Sequence, residues 1–338
     1  MDSKKIGAQT VVLSSPPSFV GWANVAGKKE GKGPLAAHFD YICQDDTFGE
    51  DSWEKSESAM QKLAFSLALE KAGCTSQSLD WLFAGDLLNQ CISSSFAARD
   101  QNVPFFGLYG ACSTIGEGLA LSSITLDGGF GTMAGVVASS HFCSAERQYR
   151  SPLEYGSQRP PTTQWTVTAS GAVLLARDGP GPYITHLTPG KIVDKGITDT
   201  NNMGAAMAPA AYDTIKTHFQ DTGRTPLDYD LIVTGDLGRL GSELLEELFR
   251  QDGVDLQSRH TDCGLIIFDA DQQDVHCGGS GCGCAAAVLS GYLLGGLRNG
   301  TWRNILFCPT GALHSPTTAF QGETIPGICH AISISATL

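Results

Sequence analysis

No stretch of the chain approaches the eighteen or more consecutive apolar residues that a membrane-spanning helix requires. The opening MDSKKIGAQT is basic but runs into no apolar core of an export signal, so secretion is not expected. Positive charge is scarce: 22 Lys and Arg stand against 35 Asp and Glu, a net charge of −13. That balance argues against a nucleic-acid partner, whose phosphates need Lys and Arg, and against direct adhesion to anionic lipid. Zinc-type spacing is also missing. Cys277, Cys282 and Cys284 follow C-x4-C-x-C with no paired His-x3-His after them, so no metal site and no cofactor is expected. Eleven cysteines in a large chain without an export signal read as small buried hydrophobes rather than a disulfide framework. The chain reads as cytoplasmic.

What is present is a phrase stated twice. LDWLFAGDL (79–87) recurs as YDLIVTGDL (229–237), with Asp80/Asp230, Gly85/Gly235, Asp86/Asp236 and Leu87/Leu237 in register. Each copy leads to a glycine-rich turn and a small-residue apolar stretch, YGACSTIGEGLALSS (109–123) and CGGSGCGCAAAVLSG (277–291). A length of 338 residues suits two domains of about 150 residues or one duplicated unit. The halves divide at 1–178 and 179–338.

An irregular Gly/Lys-rich lead-in (1–50) reads as loop. Helical spacing marks 53–73, with Gly73 as its stop, and WLFAG is a short buried strand. A helix over 88–101, a strand in VPFFGLY, a helix after Cys112 and a strand in GTMAGVVASSH follow. The polar segment 142–166 reads as a loop, and 166–177 resumes as a strand. The second half repeats the order: a helix stopped by Gly223, the strand YDLIVTG, a helix in SELLEELFRQDG, an inserted section HTDCGLIIFD, a small-residue helix from Cys284 and the strand NILFC. Alternating elements predict mostly parallel sheets covered by helices, a layered α/β/α/β/α body. Ligands in such sheets collect at the carboxyl ends of strands. That places Asp86, Cys112, His141, Asp236, Ser280 and His314 at the ends of equivalent elements.

The doubled half-domain, with a cysteine opening the first small-residue helix, resembles the thiolase and ketoacyl-synthase superfamily. Within it, AGDLLNQ (84–90), LYGACST (108–114), SSHFCSAERQYRSPLEYG (139–156), GITDTNNMGAAMAPAA (196–211), DYDLIVTGDL (228–237) and GGSGCGCA (278–285) resemble the stage V sporulation proteins of endospore-forming bacteria. The resemblance implies binding of dipicolinic acid (pyridine-2,6-dicarboxylate), free or as its calcium chelate, and a part in its uptake into the developing spore. It also implies a homodimer, membrane-protein partners from the same operon and a peripheral place at the forespore inner membrane.

Cys112 at a helix N-terminus faces the positive end of the macrodipole, which lowers a thiol pKa and favours either an acyl thioester or a bound anion. The same residue also reads as a small cysteine filling a tight turn. Catalysis needs a base as well. Where the ketoacyl-synthase pattern has a His-Gln-Ala-Asn-like string, this chain has TGDLGRL, and CGGSGCGC lacks the asparagine of that pattern. The thiolase variant leaves His276 and Cys308 as weak candidates beside Cys112, so an acyltransferase on CoA thioesters is the alternative reading. A planar dianion asks instead for cations and neutral donors. Arg147, Arg150, Arg159 and His141 are the charged candidates, and Asn89, Ser113, Ser140 and Ser280 the neutral ones. Asp86 and Asp236 recur by symmetry, which favours capping or bracing roles.

Overall fold

The computed structural model describes residues 3–149, 159–256 and 259–338. In the first half β1 (Ser18–Ala26), β2 (Trp81–Gly85), β3 (Phe105–Leu108), β4 (Met133–Ser140) and β5 (Ala169–Ala176) lie in the order β3-β2-β4-β5-β1. β6 (Tyr183–Thr188), β7 (Leu231–Thr234), β8 (His260–Asp262), β9 (Asn304–Cys308) and β10 (Ala331–Ser335) repeat that order as β8-β7-β9-β10-β6. Directions match as well. β2 is parallel to β3 and β4, and β7 to β8 and β9, while β4/β5, β5/β1, β9/β10 and β10/β6 are antiparallel. The two sets join through Ser18 and Tyr183.

The helices layer on this sheet as the doubled phrase implies. α1 (Trp53–Ala72) covers β1 and β5 on one side. Ser52 caps its start and Gly73, at φ 66°, ends it. α2 (Ile92–Ala98) lies beside it, and α3 (Thr114–Asp127) packs on β4 and β2. α5 (Met203–Thr222) and α6 (Gly238–Gln251) pair with one another in the second half, and Gly223 at φ 67° ends α5. α7 (Cys282–Val288) continues through a π segment, Leu289–Leu293, into Leu294–Arg298. It crosses to pack on β4 and β5 of the other half. Gly283 permits that approach, because a Cβ there would stand 2.3 Å from the carbonyl oxygen of Ala169. The body is the layered α/β arrangement expected.

Two readings of the sequence need correction. The 1–50 lead-in holds β1, a buried central strand rather than a loop. Gly21 and Asn24 look like turn formers but serve packing. A Cβ on Gly21 would meet the carbonyl oxygen of Ala68 at 2.6 Å, and buried Asn24 exchanges hydrogen bonds with Asp40. The segment 142–166 contains α4 (Phe142–Tyr149). Its Ser144 and Ala145 face inward, and Ser144 donates to buried Glu57. Beyond it, Trp165–Thr166 forms a short parallel ladder with Gly279–Ser280. That ladder ties the two halves together beside Cys112.

Candidate functional site

Cys112 lies in a tight turn, Ala111–Ser113, just before α3. Ala111 holds φ 50°, left-handed backbone that a side-chain-bearing residue adopts only under constraint. The Cys112 Sγ stands 3.9 Å from the Ser280 Oγ. Ser280 donates to the Asp236 carboxylate at 2.9 Å, and the same carboxylate accepts from the Gly281 N–H and the Thr310 hydroxyl, each at 2.9 Å. Three donors thus hold Asp236, and burial followed by the charge of Asp262 raises its pKa to about 6.

The thiol does not gain the lowered pKa expected of a helix N-terminus. Burial, then the Asp236 carboxylate, then Cys282 push it well above its ordinary value. The helix field is outweighed because desolvation and a facing acid both penalise a thiolate. What the second half presents to this thiol is the Asp236 carboxylate, already holding three other donors.

A cavity of about 120 Å³ opens beside Cys112 and Ser280. Tyr149, Thr163, Gln164 and Thr166 line it from the first half, and Thr200, Asn201 and His314 from the second. Glu146 supplies a carboxylate, and Leu87, Ala145, Met203 and Ala312 supply apolar wall. Tyr149 donates to the Leu87 carbonyl at 2.6 Å, and its ring stands edge-on to His314 at 5.6 Å. Burial depresses the His314 pKa, keeping the imidazole neutral. Among the described residues no lysine or arginine lines this cavity.

Of the residues singled out from sequence, the structure brings Cys112, Ser280 and His314 together here, with Asp236 behind Ser280. The others are engaged elsewhere. His141 is buried, with Nε2 on the Asp46 carbonyl at 2.8 Å and Nδ1 accepting from the Cys143 N–H, and burial depresses its pKa. Both ring nitrogens are used, and it does not line the cavity. Ser140 bridges the Val167 carbonyl and the Gly283 N–H, and Ser113 donates to the Gly110 carbonyl. Asn89 is exposed, accepting from Tyr109 and donating its N–H to Gln148. Arg147 pairs with Glu54 and lies 5.2 Å above the Trp53 ring, by a shallow depression shared with Asn89. Arg159 pairs with Asp274. Arg150 lies outside the described residues. Asp86 takes the bracing role that its recurrence favours, accepting from the Leu88 and Ser94 N–H groups and the Ser94 hydroxyl.

The thiolase-like pair is not assembled either. His276 bonds the Pro160 carbonyl and Asp274 in a separate shallow depression, and Cys308 is buried with its thiol toward the Leu306 carbonyl. Neither lines the Cys112 cavity. Among the described residues no three His, Cys, Asp or Glu side chains group so as to hold a metal.

Thr163, Gln164, Thr166, Tyr149, Thr200 and Asn201 were not singled out from sequence. Tyr149, Thr200 and Asn201 do fall inside the long polar strings of the sporulation-protein resemblance, and that was the available signal.

The family model for stage V sporulation protein AD matches residues 7–335. The chain belongs to the stage V sporulation protein AD family. It is 45% identical over 329 residues to the stage V sporulation protein AD of Bacillus subtilis (strain 168), covering 97% of each chain. Among solved structures, the 3-oxoacyl-[acyl-carrier-protein] synthase III of Aquifex aeolicus VF5 superposes with a TM-score of 0.57 at 12% identity, covering 94% of this chain and 99% of that one. A variant of OleA from Xanthomonas campestris gives 0.62 at 15% identity, covering 96% and 99%. Such identities establish a shared fold and nothing of the chemistry. The family member described here is therefore a sporulation protein on a condensing-enzyme fold. Among its described residues, no helix is long and apolar enough to cross a membrane.

Proposed function

We propose that this protein binds dipicolinic acid in the Cys112 cavity without transforming it and serves its uptake into the developing spore. The observation that carries the reading is the acid placed beside the cysteine. No histidine stands on the thiol, and the one carboxylate near it, Asp236, already accepts from Ser280, Gly281 and Thr310, which makes it a poor base for Cys112. What remains is a small, polar and partly aromatic cavity, the usual character of a ligand site. With no lysine or arginine among the described lining residues, the uncharged calcium chelate suits this cavity better than the bare dianion.

The proposal includes a homodimer formed along β3. Exposed apolar side chains concentrate on that edge strand and its flanking helices: Ile92, Phe96, Phe106, Leu121 and Ile124, with Tyr109 just beyond. An open sheet edge with an apolar rim is a template for a second copy. Attachment to the forespore inner membrane would then run through membrane proteins of the same operon.

Titration calorimetry tests the binding reading, using wild type and Thr200→Trp. Thr200 is exposed, so the indole should obstruct the cavity without unfolding the chain. Dipicolinate or its calcium chelate should bind the wild type and lose at least tenfold in affinity to the variant. Equal binding by both proteins would remove the ligand from this cavity.

A further inference from the structure

Ten buried side-chain polar atoms among the described residues lack a hydrogen-bond partner, and three of them belong to residues of this one cavity: Thr163 Oγ1, Gln164 Oε1 and His314 Nδ1. Unpaired buried polar atoms are uncommon in folded proteins, and a group of them at a binding cavity marks where a ligand's polar atoms are taken up. The three differ in what they can accept. A hydroxyl rotates, and a neutral imidazole chooses its tautomer, so Thr163 and His314 can each donate to a ligand carboxylate. Gln164 has no such freedom.

Its side chain is 6% exposed, and its Nε2 donates to the carbonyl of Asp236 at 2.6 Å and of Gly279 at 3.0 Å. Turning the amide over would set its oxygen against two carbonyl oxygens, so the orientation is fixed by its neighbours. Oε1 is therefore an acceptor in every state of the protein. A bare dicarboxylate dianion carries acceptors only and would meet it oxygen to oxygen.

We propose that Gln164 selects the form of ligand this cavity admits, requiring an N–H or O–H donor directed at its Oε1. The inference rests on the dipicolinate reading and deepens it. For that ligand the donor has two sources, a proton carried by dipicolinate itself or a water bound to the chelated calcium. In either case the bare dianion is the disfavoured form.

The test uses the full-length protein, wild type and Gln164→Leu, titrated at pH 7 with dipicolinate plus chelator and with the one-to-one calcium chelate. Loss of one ligand hydrogen bond should weaken the donor-carrying form about ten- to hundredfold. Selective loss in the calcium arm assigns the donor to the metal-bound water. Selective loss in the chelator arm assigns it to the ligand's proton. No loss, or an equal loss in both arms, overturns the inference while leaving the binding reading in place. Failure of the wild type to bind in either arm overturns both. Because the leucine also gives up the two bonds to Asp236 and Gly279, a crystal structure of the wild-type complex provides the second measurement. It should place a ligand or metal-bound donor within about 3.2 Å of Oε1. A carboxylate oxygen or no ligand atom in that position overturns the inference.

Discussion

Asp236→Asn should gain stability relative to the wild type as the pH rises from 5 to 8, an unusual trend for a buried residue with three hydrogen bonds. Its carboxyl is raised from the ordinary 3.8 to about 6, mainly by burial. The folded chain therefore holds the proton more tightly than the unfolded chain does. The resulting cost is absent below about pH 4, grows through the interval up to pH 6 and is complete above it. At about 1.4 kcal/mol per pH unit the full cost is about 3 kcal/mol. At pH 5 it is about half of that. With an unfolding entropy of about 2.1 cal/mol/K per residue over 338 residues, 3 kcal/mol corresponds to about 4 °C. Asparagine keeps an oxygen for the Gly281 N–H and the Ser280 hydroxyl but gives up an acceptor toward Thr310. That loss is the same at both pH values and cancels in the comparison. Thermal unfolding of both proteins at pH 5 and pH 8 should show the variant's relative melting temperature rising by about 2 °C toward pH 8. A difference that stays constant, or moves the other way, would refute the raised carboxyl.

Four further outcomes follow from the placement of side chains. Iodoacetamide at pH 7 should modify the partly accessible Cys74, Cys143 and Cys277 well before Cys112, read by peptide mass spectrometry, because burial and Asp236 suppress the Cys112 thiolate. Arg147→Ala should change dipicolinate affinity less than twofold, since its guanidinium pairs with Glu54 outside the cavity. His141→Ala should instead cost about 1–3 kcal/mol of stability by orphaning the Asp46 carbonyl and the Cys143 N–H, measured by denaturant unfolding. Phe106→Asp on the sheet edge should convert the proposed dimer to a monomer in light scattering, with the melting temperature of the isolated chain little changed because the ring is 50% exposed.

The repeat carried most of the fold. Two matching strand–turn–helix phrases place equivalent strands in equivalent order, and the helices at 53–72 and 203–222 end at the glycines that the sequence marks. β1 was illegible because its glycine and asparagine answer to partners outside the strand, the approach of α1 and the hydrogen bonds of Asp40. The site was half legible for the same reason. Cys112, Ser280 and His314 follow from equivalent positions in the two halves. His141 and Arg147 sit after the right strand, yet their partners, Asp46 and Glu54, come from far earlier in the chain and turn both away from the cavity. Gln164 acquires its role only where the ladder between Trp165–Thr166 and Gly279–Ser280 sets it against the Asp236 carbonyl, a contact 72 residues distant in sequence. Local pattern does not encode such contacts.

The central claim is that a condensing-enzyme fold here holds its ligand without reacting through its cysteine. Intact-mass spectrometry after prolonged incubation with acetyl-CoA at pH 7 tests it most directly. The expected spectrum is that of the unmodified chain. An acetyl adduct mapping to Cys112, and absent from Cys112→Ala, would contradict the claim.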